Sequence, residues 1–245
     1  MSTAAGEPAG GAASRRAELA ASLQALRGRI AAACAAAGRP SGEVTLIAVT
    51  KTFPVSDIEL LADLGVLDIG ENKDQEAAPK AARCAADDVP VTWHFVGSVQ
   101  VNKAASVSSY AHVVHSVDRL RLVLALGRRA SAAGRTVTCL VQVSLDGDPG
   151  RGGAAIGEVP AVAEAIAGQD GLLLGGVMAI APQPMPPASA FGRLREVAEQ
   201  VRSAYPAATM ISAGMSGDLE EAIAKGATHV RVGTALLGGR RPFVR

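Results

Sequence analysis

The chain has 245 residues, 49% of them hydrophobic, which is enough to bury a sizeable core and suits one α/β barrel as well as two small domains. Its 24 basic and 23 acidic residues leave a net charge of +1 with no long run of like charge, so nothing marks a nucleic-acid or membrane surface. Cys34, Cys84 and Cys139 are odd in number, far apart and outside any CxxC pair, which argues against a disulfide framework or a zinc site and for a reducing compartment, the cytoplasm.

Residues Met1 to Ser14 carry no apolar core segment, so they read as a disordered tail rather than a signal peptide or membrane span, and the folded domain is taken as 15–245. From Arg15 to Ala37, Leu19, Leu23, Leu26 and Ile30 give a helix one apolar face, which Gly38 and Pro40 stop. Val44 to Val49 is apolar and β-branched without alternation, as in a strand covered on both faces. It runs into Thr50-Lys51-Thr52 and then Pro54, so Lys51 falls at the carboxyl end of a strand, where α/β folds keep their chemistry. Taken alone, a solvated loop lysine is the simpler account of it.

A helix over Pro54–Leu64 and a strand over Val66–Ile69 follow, and the strand leads into Gly70-Glu71-Asn72-Lys73-Asp74-Gln75-Glu76. The acidic and amide groups of that stretch read first as helix caps, or else as side chains aimed into the barrel mouth. The third strand, Val91–Val96, ends on another polar cluster, Gly97 to Lys103. Further strands are expected at Ala111–Ser116, Thr136–Val143, Leu172–Ile180, Ala208–Ser212 and Thr228–Val232. Between them come helices at Asp118–Ala133, Glu158–Ala167, Phe191–Ala204 and Asp218–Lys225. The glycine-rich stretch from Asp146 to Gly153 reads as a flexible surface loop, and its acidic pair lacks the ligand spacing of a calcium site; no metal is expected. Eight strands alternating with helices make a single (β/α)8 TIM barrel with an extra N-terminal helix.

In that fold phosphate commonly sits between the loops after strands seven and eight. Here those loops are Ser212-Ala213-Gly214-Met215-Ser216-Gly217-Asp218 and Gly233-Thr234, whose hydroxyls and backbone N–H groups could hold a dianion. Arg231 shares a strand face with Gly233, so it either bridges a barrel carboxylate or faces the ligand. A lysine, an anion cradle and an arginine together suit a phosphorylated aldehyde held as an imine, with pyridoxal 5′-phosphate the obvious candidate.

Several motifs in order, Ala48-Val49-Thr50-Lys51-Thr52, Gly70-Glu71-Asn72, His94-Phe95-Val96-Gly97, Gly176-Val177-Met178-Ala179-Ile180, Gly214-Met215-Ser216 and Val230-Arg231-Val232-Gly233-Thr234, resemble the pyridoxal phosphate homeostasis protein family of the YggS/PROSC type. The resemblance covers about Arg15 to Arg240. It implies a barrel like the N-terminal domain of alanine racemases, with Lys51 as the Schiff-base lysine. It also implies Ser216, Gly233 and Thr234 on the phosphate, Arg231 on the pyridine nitrogen, and Asn72 and Met215 along the ring. Lys73 stands where an aromatic residue is usual, and Arg151 where Lys or Ser is.

The implied role is to hold, buffer or deliver the cofactor without turnover, as a monomer, with apo pyridoxal phosphate enzymes as candidate recipients. Arginine at the ring nitrogen weakens the electron sink that most such enzymes need. A racemase also needs a second acid/base, in alanine racemases a tyrosine involving a separate C-terminal domain, and Tyr110 and Tyr205 are badly placed for it. The alternative is a weakly active amino-acid racemase using Lys51 with His94 or a water; a lysine aldolase acting on a sugar phosphate ranks last.

Overall fold

The computed structural model describes residues 9–148 and 152–239. Among the described residues nine strands form: β1 (Thr45–Val49), β2 (Asp68–Glu71), β3 (Thr92–Phe95), β4 (Val113–Val117), β5 (Val137–Ser144), β6 (Ala154–Ala155), β7 (Leu172–Met178), β8 (Met210–Ser212) and β9 (His229–Val232). Their order is β4-β3-β2-β1-β9-β8-β7-β5-β6, and a β4–β5 pairing closes eight of them into a barrel, with β6 added at the edge of β5. Every pairing is parallel; Leu46 lies opposite Val230 and Gly70 opposite His94. Parallel neighbours need a crossover on the outer face. The crossovers are built from α2 (Val55–Asp63), α3 (Asp74–Ala86), α4 (Ala104–Tyr110), α5 (Leu120–Ala132), α6 (Val159–Ala167), α7 (Pro187–Ala204) and α8 (Leu219–Ala224). An N-terminal helix, α1 (Ala9–Ala36), precedes the barrel and the short α9 (Thr234–Leu237) follows it. Among the described residues no helix is long and apolar enough to cross a membrane.

α1 starts at Ala9, inside the stretch expected to be a tail. Alanine has the best helix propensity, and each residue added to an existing helix gains a hydrogen bond without a new nucleation cost. Leu19, Leu23, Leu26, Ile30 and Cys34 are buried along one face of α1. They join Ile58, Leu61, Val230, Leu236 and Leu237 in one core, each fully buried leucine contributing about 1.5–3 kcal/mol. Arginines fasten the helix at both ends. Arg15 pairs with Asp57 at 2.7 Å and donates to the Leu237 carbonyl at 3.0 Å, while Arg39, just past the helix, donates to the carbonyls of Ile223 and Ala227, both at 2.9 Å.

The inside of the barrel is unusually polar, with His94, His115, Ser212 and Arg231 all buried. His229 joins this group, its Nδ1 lying 2.8 Å from Thr228 Oγ1 and its ring centroid 6.4 Å from that of His94. Burial first, and then His94, push the His229 ring down from 6.5 to about 4, with Asp68 pulling the other way. An unfolded chain takes up that proton at the higher pH and the folded chain at the lower. The stability that neutral His229 lends is therefore whole above about pH 6.5 and is lost as the pH falls towards about 4, at up to about 1.4 kcal/mol per pH unit. His229→Gln is expected to flatten the fall in unfolding free energy between about pH 6.5 and about pH 5 by close to one proton. Equal slopes for variant and wild type in urea melts would show that this ring is charged in the fold.

Candidate functional site

β1 ends at Val49, and the next residues are fixed by bonds from neighbouring strands and helices. Thr50 is wholly buried, its Oγ1 donating to Glu71 Oε1 at 2.7 Å. Thr52 adopts a left-handed φ of 69°, rare for a β-branched residue, and its N–H donates to Glu76 Oε2 at 2.9 Å. Lys51, held between these two, lines a cavity of about 750 Å³ at the carboxyl ends of the strands. All seven residues expected at the site line this same cavity: Lys51, Asn72, Met215, Ser216, Arg231, Gly233 and Thr234.

The acidic stretch after β2 does not cap α3, as first read. Lys73 is the residue before that helix and makes no side-chain cap. Glu71 lies on β2 and turns to the helix layer, into a buried pair with Lys80 of α3 at 2.6 Å. Glu76 holds the lysine loop, and Asp74 takes hydrogen bonds from Ser106 at 2.7 Å and Tyr110 at 3.4 Å. Each carboxylate takes its hydrogen bond from elsewhere in the fold.

At the anion end, Gly214 has a φ of 87°, and a Cβ there would sit 2.6 Å from the Cβ of Ala222, so the loop after β8 packs onto α8 only with glycine. The Met215 N–H donates to Asp218 Oδ1 at 2.6 Å, and Ser216 Oγ accepts the Ala235 N–H at 3.2 Å, which leaves the serine its own proton to donate. Thr234 opens α9, whose first N–H groups have no carbonyl a turn behind them. Arg29 of α1 braces this loop from outside, donating to the Ser216 carbonyl at 3.1 Å and pairing with Glu220 at 2.7 Å. The Glu220 carboxyl is held below its ordinary value by the Arg29 hydrogen bond. Arg29 was not legible as part of the site because its helix is remote in sequence from the loop it holds.

Arg231 is buried and reaches the cavity wall. It donates to Ser212 Oγ at 2.6 Å and to the Ala179 carbonyl at 3.0 Å, and no carboxylate among the described residues pairs with it. The structural bridge to a barrel carboxylate is therefore not its role. Burial pushes the guanidinium down to about 10, with Asp218 pulling the other way, so it remains a cation at neutral pH.

Two expectations change. His94, the alternative second base, does not line the cavity: its Nε2 lies 2.9 Å from Asp68 Oδ1 and its Nδ1 2.9 Å from His115 Nε2, inside the barrel. The glycine-rich stretch from Asp146 to Gly153 is followed directly by β6, with Val143 opposite Ala154, and its described residue Gly152 lines the cavity and accepts from Gln142 Nε2 at 2.7 Å, so that end is not a free surface loop, while Arg151 lies outside the described residues. Val96, Gly97, Ser98 and Ile180 complete the wall, as small or apolar groups whose part is set by strand register rather than by side-chain chemistry.

A parallel (β/α)8 barrel that gathers a lysine, a buried arginine and two anion-binding loops at one end defines a class, and residues 21–241 match the family described as alanine racemase, N-terminal domain. Within that class the curated relatives are more specific. The chain is 45% identical over 244 residues to the pyridoxal phosphate homeostasis protein of Mycobacterium tuberculosis H37Rv, covering 93% of this chain and 95% of the relative. It is 36% identical over 231 residues to the protein of the same name in Escherichia coli K12, covering 91% and 97%. The solved structure of PipY from Synechococcus elongatus PCC7942, with PLP bound, superposes with a TM-score of 0.78 at 32% identity, covering 90% of this chain and 100% of that one. The chain belongs to the pyridoxal phosphate homeostasis protein family.

Proposed function

We propose that this chain binds pyridoxal 5′-phosphate in the cavity at the carboxyl end of the barrel, as a Schiff base on Lys51, and holds, buffers or delivers it in the cytoplasm to apo-enzymes rather than turning over a substrate. The observation that carries this is the convergence of seven residues, from strand β9 and from the loops after β1, β2, β8 and β9, on one cavity of about 750 Å³. The residues present fit the group. Asn72 Oδ1 is buried in that wall without a partner among the described residues and so offers a ligand an acceptor. The Ser216 hydroxyl and the opening turn of α9 offer donors to a phosphate. When bound, the cofactor would supply an aldehyde carbon, and Lys51 is the amine placed to hold it there. Arg231 can only donate, so a ring nitrogen set against it is kept without a proton. Lys51 and Arg231 are the only titratable side chains among the described residues that line the cavity, which leaves a racemase without its second acid/base and supports the carrier.

The test is visible absorption with added pyridoxal phosphate, followed by borohydride reduction and peptide mapping, on wild type and Lys51→Ala. An imine band lost in the variant, a reduced adduct on Lys51, and no racemisation of amino acids above the Lys51→Ala background are expected. No band and no adduct would mean that the cavity takes another ligand, and turnover above that background would mean an enzyme.

A further inference from the structure

Through the barrel interior runs an unbroken line of hydrogen bonds that ligand contact alone does not require. Arg231 Nη1 donates to Ser212 Oγ at 2.6 Å, and Ser212 Oγ lies 2.9 Å from His115 Nδ1. His115 Nε2 lies 2.9 Å from His94 Nδ1, and His94 Nε2 lies 2.9 Å from Asp68 Oδ1. The two ends are at opposite mouths of the barrel. Arg231 lines the cavity at the carboxyl ends of the strands, whereas Asp68, the first residue of β2, lines a second cleft of about 510 Å³ with Thr45 and Val66 at the amino ends.

We propose that Ser212 and His115 are positioning residues, which with His94 form a one-way donor chain that fixes the Arg231 guanidinium at the cavity wall and ties its charge to the Asp68 carboxylate across the barrel. The ligand half of this proposal rests on the reading of the cavity as a pyridoxal phosphate site.

The direction follows from the two ends. Arginine can only donate and an ionised carboxylate can only accept, so with both rings neutral every proton between them is assigned from the carboxylate end. Ser212 Oγ receives from Arg231 and must give its own proton to His115 Nδ1, its other partner among the described residues. A neutral His115 then carries its proton on Nε2 and gives it to His94 Nδ1, and His94 carries its own on Nε2 and gives it to Asp68. Protonating His94 with His115 unchanged would set two N–H groups against each other. His115 is wholly buried and held neutral, first by burial, with the nearby Arg231 cation adding to it. Such an interior is costly beside an aliphatic one unless each group is satisfied, and here each bond of the chain satisfies the next. Arg231 is also the group that gains. One of its two bonds to protein is the Ser212 oxygen, and without it the planar head is held only by the Ala179 carbonyl. Among the described residues no group of three or more His, Cys, Asp or Glu is placed to hold a metal, so the line acts through hydrogen bonds alone.

Two readouts test this on the full chain. Side-chain nitrogen NMR of the ligand-free protein at about pH 7 should show His94 and His115 as neutral Nε2–H tautomers; an Nδ1–H proton on either ring would overturn the chain's direction. Ser212→Ala should weaken pyridoxal phosphate binding roughly tenfold, the usual size of a lost bond to a charged group, and move the absorption maximum of the bound cofactor, with Ser212→Thr restoring both. A Ser212→Ala protein of lower melting temperature but unchanged affinity and absorption would reduce Ser212 to a structural role and sink the proposal. If Ser212→Ala does not fold, the wild-type tautomers still decide. If wild type binds no pyridoxal phosphate, the cofactor reading fails and takes the ligand half with it, whereas the tautomers report on the chain separately.

Discussion

Replacing Lys80 by Met is expected to lower stability by about 3–5 kcal/mol, the range found when one partner of a buried ion pair is removed. Lys80 Nζ lies 2.6 Å from Glu71 Oε1 and donates to the Thr50 carbonyl at 2.9 Å, and Glu71 is 1% exposed. Burial already pushes the Glu71 carboxyl above its ordinary value, with Lys80 and the Thr50 hydroxyl pulling the other way without cancelling it. Its second oxygen, Oε2, is buried with no partner among the described residues. The pair is therefore poorly compensated, and the variant leaves an anion in the wall of the barrel with one hydrogen bond. Glu71→Gln should cost less, because the amide oxygen still accepts from Thr50 and Lys80 and no anion has to be buried. The double variant should be more stable than Lys80→Met alone. At roughly 2–4 °C per kcal/mol for a chain of this size, Lys80→Met should melt on the order of 10 °C lower.

The pH dependence carries a sign. In Lys80→Met the folded-state pKa of Glu71 rises further above its unfolded value, so the deficit relative to wild type grows with pH and is smaller near pH 5 than near pH 7.5. A deficit that is flat in pH, or a Lys80→Met protein as stable as wild type in urea melts, would remove the ion pair from the account. Because the pair anchors the Thr50 carbonyl directly before Lys51, the same variant should also loosen the cavity lysine and weaken pyridoxal phosphate binding.

These two residues show where reading the chain stops. Strands such as Val137–Ser144 announce themselves by β-branched runs, and the apolar stripe of α1 by its spacing, because each pattern is local. α4 did not announce itself: Ala104–Tyr110 is short and serine-rich, with too few apolar residues to show a period, and it is a helix because it bridges β3 and β4. β6 exists only through its pairing with β5. Lys51, Ser216, Arg231, Gly233 and Thr234 are legible because lysine, arginine and glycine-serine loops at strand ends carry chemistry in their identity, whereas Asn72 and Met215 come only from the family resemblance. Glu71 suits a cap by its sequence neighbours, which fit a helix start, whereas its partner, Lys80, lies across a strand-to-helix turn. The line from Asp68 to Arg231 was hidden for a stronger reason. It needs the register of β2, β3, β4, β8 and β9 at once, and no single stretch of sequence contains two of its members side by side.

Gly97 tests the cavity wall by shape alone. Its φ is not in the left-handed region, so alanine is not excluded by conformation, but a Cβ there would lie 2.0 Å from the Asn72 carbonyl oxygen, 2.7 Å from its carbonyl carbon and 2.8 Å from its Cα. All three are backbone atoms, so no flexible side chain can yield, and the loops after β2 and β3 must part. Asn72 would leave its place in the wall, and the hydrogen bond from Ser116 Oγ to the Gly97 carbonyl would be strained as well. Gly97→Ala is expected to cost about 1–3 kcal/mol or more as overpacking, and to weaken pyridoxal phosphate binding by about 100-fold, since a 1 Å displacement in a preorganised site has effects of that order. Gly192→Ala makes the same chemical change in α7, where nothing lies within 4 Å of the new methyl. That variant should be more stable than wild type by roughly 0.5–1 kcal/mol, because alanine replaces glycine inside a helix, and it should bind the cofactor unchanged. Urea melts and pyridoxal phosphate titrations of the two variants separate the cases. If Gly97→Ala bound the cofactor as wild type does, the contact between the two loops would not shape the cavity, and Asn72 would have no part in holding the ring.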